Sequence, residues 1–154
     1  MRNIQDWLNE YGESHKNETN KLIHWICVPA IVFSILGLLY SIKLPIFLSD
    51  YQINVGIIVG FAILVYYFSL SPRLSIGMAL YLAICMFLAN FIEKNGFISL
   101  WLFSIIVFVL AWLGQFYGHK IEGKKPSFLK DIQFLMIGPA WLMSFIYKKI
   151  GVAL

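Results

Sequence analysis

His15, His24 and His119 are the only histidines in a chain of 154 residues. Neutral imidazole is a common ligand for iron, zinc and copper. Three such rings, with or without a carboxylate, would hold a cation and leave positions open for substrate or oxygen. For any one ring alone the bland reading is an amphipathic side chain resting at an interface.

The spacing around these rings constrains the backbone. Glu13, Asn17, Asn20 and His24 follow one another at intervals of four, three and four, which places them along one helical face. His15 lies nine residues before His24, about half a turn away in angle at the helical period. One straight helix cannot aim both rings at one point. If they share a ligand, the backbone must bend or break between them, or another helix must reach around. In the second cluster His119 and Glu122 are three apart and face the same way on a helical turn. Gly118 and Gly123 bracket that turn, and Lys124, Lys125 and Pro126 follow.

Each accompanying polar residue has more than one reading. Glu122 is a ligand, an acceptor that orients a ligand, or a solvated partner of Lys125. Asn17 and Asn20 cap neighbouring backbone, or they orient a metal-bound ring through its other nitrogen. Lys124 and Lys125 can attract the carboxylate of a lipid or fatty-acid substrate, although charge topology accounts for them equally well. The five tryptophans, Trp7, Trp25, Trp101, Trp112 and Trp141, read as packing or interface-belt residues. Other chemistries lack their motifs: no glycine-rich phosphate loop, no G-x-S-x-G elbow and no paired-cysteine motif is present. Ser14 beside His15 is no catalytic pair, because adjacent side chains on a helix diverge. Cys27 and Cys85 fall inside apolar stretches, where thiols behave as small hydrophobes, and no disulfide is expected.

The elements that must position these residues are membrane helices. The chain is 60% hydrophobic and 13% charged, with a net charge of +4 and a mean hydropathy of +0.76. Soluble domains carry about 25% charged residues, and a fold this small cannot hide so much apolar surface from water. Four stretches meet the roughly 20 apolar residues that a bilayer core demands: Ile23 to Ile42, Ile53 to Leu70, Leu74 to Ile92 and Phe97 to Gly118. None contains Asp, Glu, Lys or Arg. A fifth, Ile132 to Tyr147, is shorter and interrupted by Gly138-Pro139, where proline removes a backbone donor. The expected fold is therefore an all-α, polytopic transmembrane bundle of four full spans plus a shorter, proline-kinked or re-entrant segment. Its single domain divides into a polar segment (1–22), a four-helix membrane region (23–118), a loop (119–131) and the fifth segment with its tail (132–154). Residues 1–22 lack the apolar core of a cleavable signal.

Counting Lys and Arg by side orients the bundle. With the N-terminus in the cytoplasm, that side holds Arg2, Lys16, Lys21, Arg73, Lys120, Lys124, Lys125 and Lys130. The opposite side holds Lys43 and Lys94, and the Lys148-Lys149 pair falls on either. The positive-inside rule then expects a cytoplasmic N-terminus, in a bacterial inner membrane or an endoplasmic reticulum. Four spans between His24 and His119 put all three histidines at one membrane edge. No basic stripe lies in a soluble segment, so nucleic acid is not an expected partner.

Two stretches resemble the signatures of a known family. One runs through Tyr11, His15, Asn20, Lys21, His24 and Pro29. The other begins Gln115-Phe116-Tyr117-Gly118-His119 and continues through Glu122 to Pro126-Ser127-Phe128-Leu129, similar to Q-x-x-G-H-x-x-x-E-x-x-x-P-A-L. These are marks of the Mpo-like family of small membrane proteins, which has an iron(II)-dependent 2-hydroxy fatty acid dioxygenase as its fungal member. The resemblance covers the whole chain, including the order of spans. It implies Fe(2+) as cofactor, His15, His24 and His119 as ligands, and a 2-hydroxy fatty acid shortened by one carbon with O2. Glu122 follows Ile121 where the family's acid often follows Phe, and Pro126-Ser127-Phe128 stands where the family has P-A-L. A lipid-binding scaffold without activity and a zinc-dependent lipid enzyme are the alternatives.

Overall fold

A computed structural model describes residues 3–49, 51–125 and 133–154. The Pro126-Ser127-Phe128 triplet and the start of the fifth apolar segment at Ile132 lie outside the described residues. Among the described residues the architecture is all-α apart from one hairpin. Six helices are described: α1 (Ile4–Gly12), α2 (Glu18–Tyr40), α3 (Val55–Leu70), α4 (Pro72–Asn95), α5 (Leu100–Glu122) and α6 (Phe134–Lys149). Between α2 and α3 an antiparallel pair, β1 (Lys43–Leu48) and β2 (Tyr51–Asn54), turns the chain.

Three helices, α2, α4 and α5, are long and apolar enough to cross a membrane. The second expected span is shorter than four full spans would require. α3 has 16 residues, about 24 Å of rise against a core of about 30 Å. Its start is set by Asn54, whose side chain accepts the Ile57 N–H, so Ile53 is left in β2. Large apolar side chains such as Phe61, Phe68, Ile76, Leu80, Phe87 and Leu113 point outward, a surface that suits lipid rather than water.

Three boundaries differ from the apolar runs, each through hydrogen bonding that hydropathy does not report. The segment before Ile23 is not one polar arm. α1 buries Ile4, Trp7, Leu8 and Tyr11, and the chain then breaks before α2. α2 begins at Glu18 because the Asn17 side chain accepts the N–H groups of Thr19 and Asn20. α5 does not stop at Gly118. It continues through His119 to Glu122 and ends at Gly123, which takes the left-handed conformation (φ 70°) that glycine adopts without penalty. His119 is thus helical rather than part of a following loop.

α2 and α5 share the most extensive interface and run antiparallel, bringing the start of one beside the end of the other. Small residues make the approach possible. A Cβ on Gly114 would stand 2.6 Å from Cys27 Sγ, one on Gly118 2.5 Å from Asn20 Oδ1, and one on Gly37 would collide with Ser104 Oγ. Both cysteines are free. α6 runs as one helix through Pro139 and packs on α1, α2 and α4. The Tyr67 hydroxyl donates to the Met136 carbonyl at 2.7 Å, and Tyr147 donates to the Arg73 carbonyl at 2.6 Å. These ties hold α6 where Gly138 and Trp141 meet Tyr11.

Candidate metal centre

The break between α1 and α2 does what the spacing of His15 and His24 requires. His15 sits in the connecting turn and His24 in the second turn of α2, with their Nε2 atoms 2.9 Å apart. His119 arrives from the last turns of α5, its ring centre 5.0 Å from that of His15 and 4.9 Å from that of His24. One ligand nitrogen from each ring lies within 4.8 Å of the others, so the three buried histidines could hold a metal ion.

The tautomers follow from the chain. His15 Nδ1 is 2.6 Å from the Tyr11 carbonyl and His24 Nδ1 is 2.9 Å from the Asn20 carbonyl. A carbonyl only accepts, so both Nδ1 atoms carry the proton. In the neutral rings both Nε2 atoms then present lone pairs to each other, an arrangement that repels unless a cation lies between them. Burial pushes the His15 imidazole down to about 4; the Tyr11 carbonyl opposes this and the nearby His119 adds to it. A shared proton is therefore a poor bridge at neutral pH. A metal fits better: two imidazoles bound at about 2.0–2.1 Å stand about 3 Å apart when their bonds are near a right angle. His119 Nδ1 is buried without a hydrogen-bond partner, a further unanswered nitrogen at the same place.

Glu122 serves the backbone of the first loop. Its Oε1 accepts the Lys16 N–H at 2.9 Å, and its Oε2 accepts the Asn17 N–H at 2.9 Å and the Asn20 amide at 3.1 Å. It straps the turn carrying His15 to the end of α5. Asn17 caps α2, one of the two roles its place in the sequence left open. Asn20 supports His24 through its backbone carbonyl, and its side chain donates to Glu122. Lys124 donates to the Glu13 carbonyl at 2.6 Å, a second strap on the same turn. Lys124 and Lys125 line an open basic cleft with Lys120 on the outer side of His119.

The inner side of His24 and His119 opens into a small, partly open cavity walled by Val28, Ile31, Val32, Trp112 and Phe134. Polar groups on its lining come from Gln115 and Tyr11 besides the two histidines. Tyr11 stacks on His15 at 4.2 Å between ring centres, and burial raises its phenol so that it stays protonated. Trp141 packs 5.2 Å from His15. Spacing alone gave no role to Tyr11, Gln115, Trp112 or Trp141. Gln115 stands four residues before His119, which was the available signal for a shared face.

The chain is 28% identical over 151 residues to the 2-hydroxy-palmitic acid dioxygenase MPO1 of Saccharomyces cerevisiae, covering 96% of this chain and 82% of the yeast protein. No solved structure matches. A family model described as 2-hydroxy-palmitic acid dioxygenase Mpo1-like matches residues 1–150, a stretch that holds all three histidines, the Glu122 strap and the cavity wall, and the chain belongs to that family.

Proposed function

We propose that the protein is an iron(II)-dependent dioxygenase that shortens 2-hydroxy fatty acids by one carbon at the cytoplasmic edge of a membrane. The observation that carries this reading is the pair of Nε2 lone pairs facing each other at 2.9 Å beside an apolar cavity. His15, His24 and His119 would hold the ion. A redox-active cation supplies the one-electron chemistry with oxygen that side chains lack.

The reaction balances without a separate reductant. The acid R–CH(OH)–COOH and O2 give R–COOH, CO2 and H2O. The C1–C2 bond breaks, the substrate loses four electrons, and oxygen takes all four. The chain's own residues bind and orient. The carbonyls of Tyr11 and Asn20 hold two rings in one tautomer, and Glu122 and Lys124 keep the loop closed over them. The apolar wall takes the acyl chain and excludes water from the head group. Lys120, Lys124 and Lys125 draw acids toward the same edge. A cytoplasmic N-terminus, in a bacterial inner membrane or an endoplasmic reticulum, follows from the charge count.

The test is metal content together with oxygen uptake on adding 2-hydroxypalmitate. Iron with uptake is expected, and His24→Ala or His119→Ala should abolish both. Full turnover by either variant would sink the reading. Zinc without oxygen uptake would indicate a lipid enzyme of another class, and no bound metal would indicate a scaffold.

A further inference from the structure

Gln115 is an amide that nothing in the described protein answers. It is 6% exposed, and its side chain makes no hydrogen bond to another described residue. It lines the same cavity as His24 and His119. On α5 it stands four residues before His119, about 6 Å further along the helix axis. Val28, four residues beyond His24 on the antiparallel α2, lines the cavity too. Beyond them the wall is Ile31, Val32 and Trp112. The amide therefore sits where a polar head at the histidines would give way to an apolar tail. As a lining group of the cavity the amide is free to meet a ligand oxygen there.

We propose that Gln115 is the specificity determinant that reads the 2-hydroxyl group of the substrate. This rests on the 2-hydroxy acid reading above. In such an acid only C1 and C2 carry oxygen. The Gln115 carbonyl accepts the C2 hydroxyl proton, a group that the unsubstituted acid lacks. A fatty acid without the hydroxyl leaves the carbonyl oxygen unanswered. Sites built to hydrogen-bond a hydroxyl reject analogues lacking it far more strongly than apolar pockets reject an extra group.

The experiment is equilibrium dialysis of the detergent-solubilised full chain against labelled 2-hydroxypalmitate and labelled palmitate, without oxygen so that no turnover occurs, with metal content measured on the same samples. The wild type should bind the hydroxy acid at least about tenfold more tightly. Gln115→Leu should reduce the preference to about twofold or less by weakening the hydroxy acid alone, with palmitate binding and metal content unchanged. If Gln115→Leu does not fold, Gln115→Met offers an apolar side chain of matching length with the same readout. A variant that keeps the wild-type preference overturns the assignment and leaves the 2-hydroxy acid reading standing. A wild type with no preference removes both. Loss of metal or of palmitate binding in both variants makes Gln115 structural, which also overturns the assignment.

Discussion

Replacing Glu122 tests whether α5 holds the first loop shut over the histidines. The carboxylate accepts two backbone N–H groups at 2.9 Å, from Lys16 and Asn17, and the Asn20 amide at 3.1 Å. Hydrogen bonds to a charged group contribute roughly 1.5–3 kcal/mol each. Three bonds share one carboxylate at a half-buried edge, so their joint contribution is nearer about 3 kcal/mol than the sum. In Glu122→Gln the amide NH2 must face one of the two backbone donors. One bond is lost and the others become neutral, a loss of about 2 kcal/mol. Acting on loop closure, this raises the metal dissociation constant by up to about 30-fold, because only the closed fraction binds. Glu122→Ala should exceed that. Competition against a chromophoric chelator measures both. The same substitutions in a His15→Ala background separate strap from ligand. With His15 gone, the loop carries no ligand, and removing Glu122 should change affinity by less than about threefold. Fully additive losses would mean that Glu122 touches the ion. Unchanged affinity in Glu122→Ala would refute the strap altogether.

Gly114→Ala should destabilise the α2–α5 contact by about 1–3 kcal/mol through overpacking, since its Cβ would stand 2.6 Å from Cys27 Sγ. Thermal unfolding should show Cys27→Ala recovering most of that loss, and no recovery would mean the strain lies elsewhere. Gly118→Ala meets the buried Asn20 Oδ1 at 2.5 Å, so it should lower metal content as well as stability, and Cys27→Ala should not rescue it. The metal-free protein should lose stability as pH falls from about 6.5 to about 4. The His15 imidazole is held at about 4 in the fold, so in that window the unfolded chain binds a proton that the folded one does not. The shift corresponds to about 3 kcal/mol by its lower end. The drop in unfolding midpoint from pH 7.5 to 4.5 should be smaller in His15→Gln, and an equal drop in that variant would contradict the assignment to His15.

The long apolar helices were legible because a bilayer would impose a length and forbid charge, and both are properties of a run of residues. The ends were less legible, because helices stop where backbone groups find other partners. Asn17 carries α2 out to Glu18, and Asn54 starts α3 late. The polar turn from His119 to Glu122 stays helical until Gly123. The β1–β2 pair left little trace in the sequence. Pro45 lies inside β1, the register shifts between Lys43 and Phe47, and the turn needs Ser49 at positive φ.

The site divides along the same line between local and distant causes. Each of the two facing rings is fixed by its own neighbourhood: His15 and His24 both donate from Nδ1 to the carbonyl four residues earlier. The half-turn offset between them required a broken backbone, and Gly12 and Asn17 stand at the ends of the two helices that flank the break. Those facts are readable from one short stretch. What brings the Nε2 atoms to 2.9 Å is not, because the turn is pinned by Glu122 and Lys124, more than 100 residues away. The local bonds decide that each ring shows a lone pair, and the distant straps decide that the lone pairs meet. Neither alone makes a site that calls for a cation. It follows that cutting a strap should weaken the metal without altering either tautomer, whereas replacing a histidine removes the donor itself.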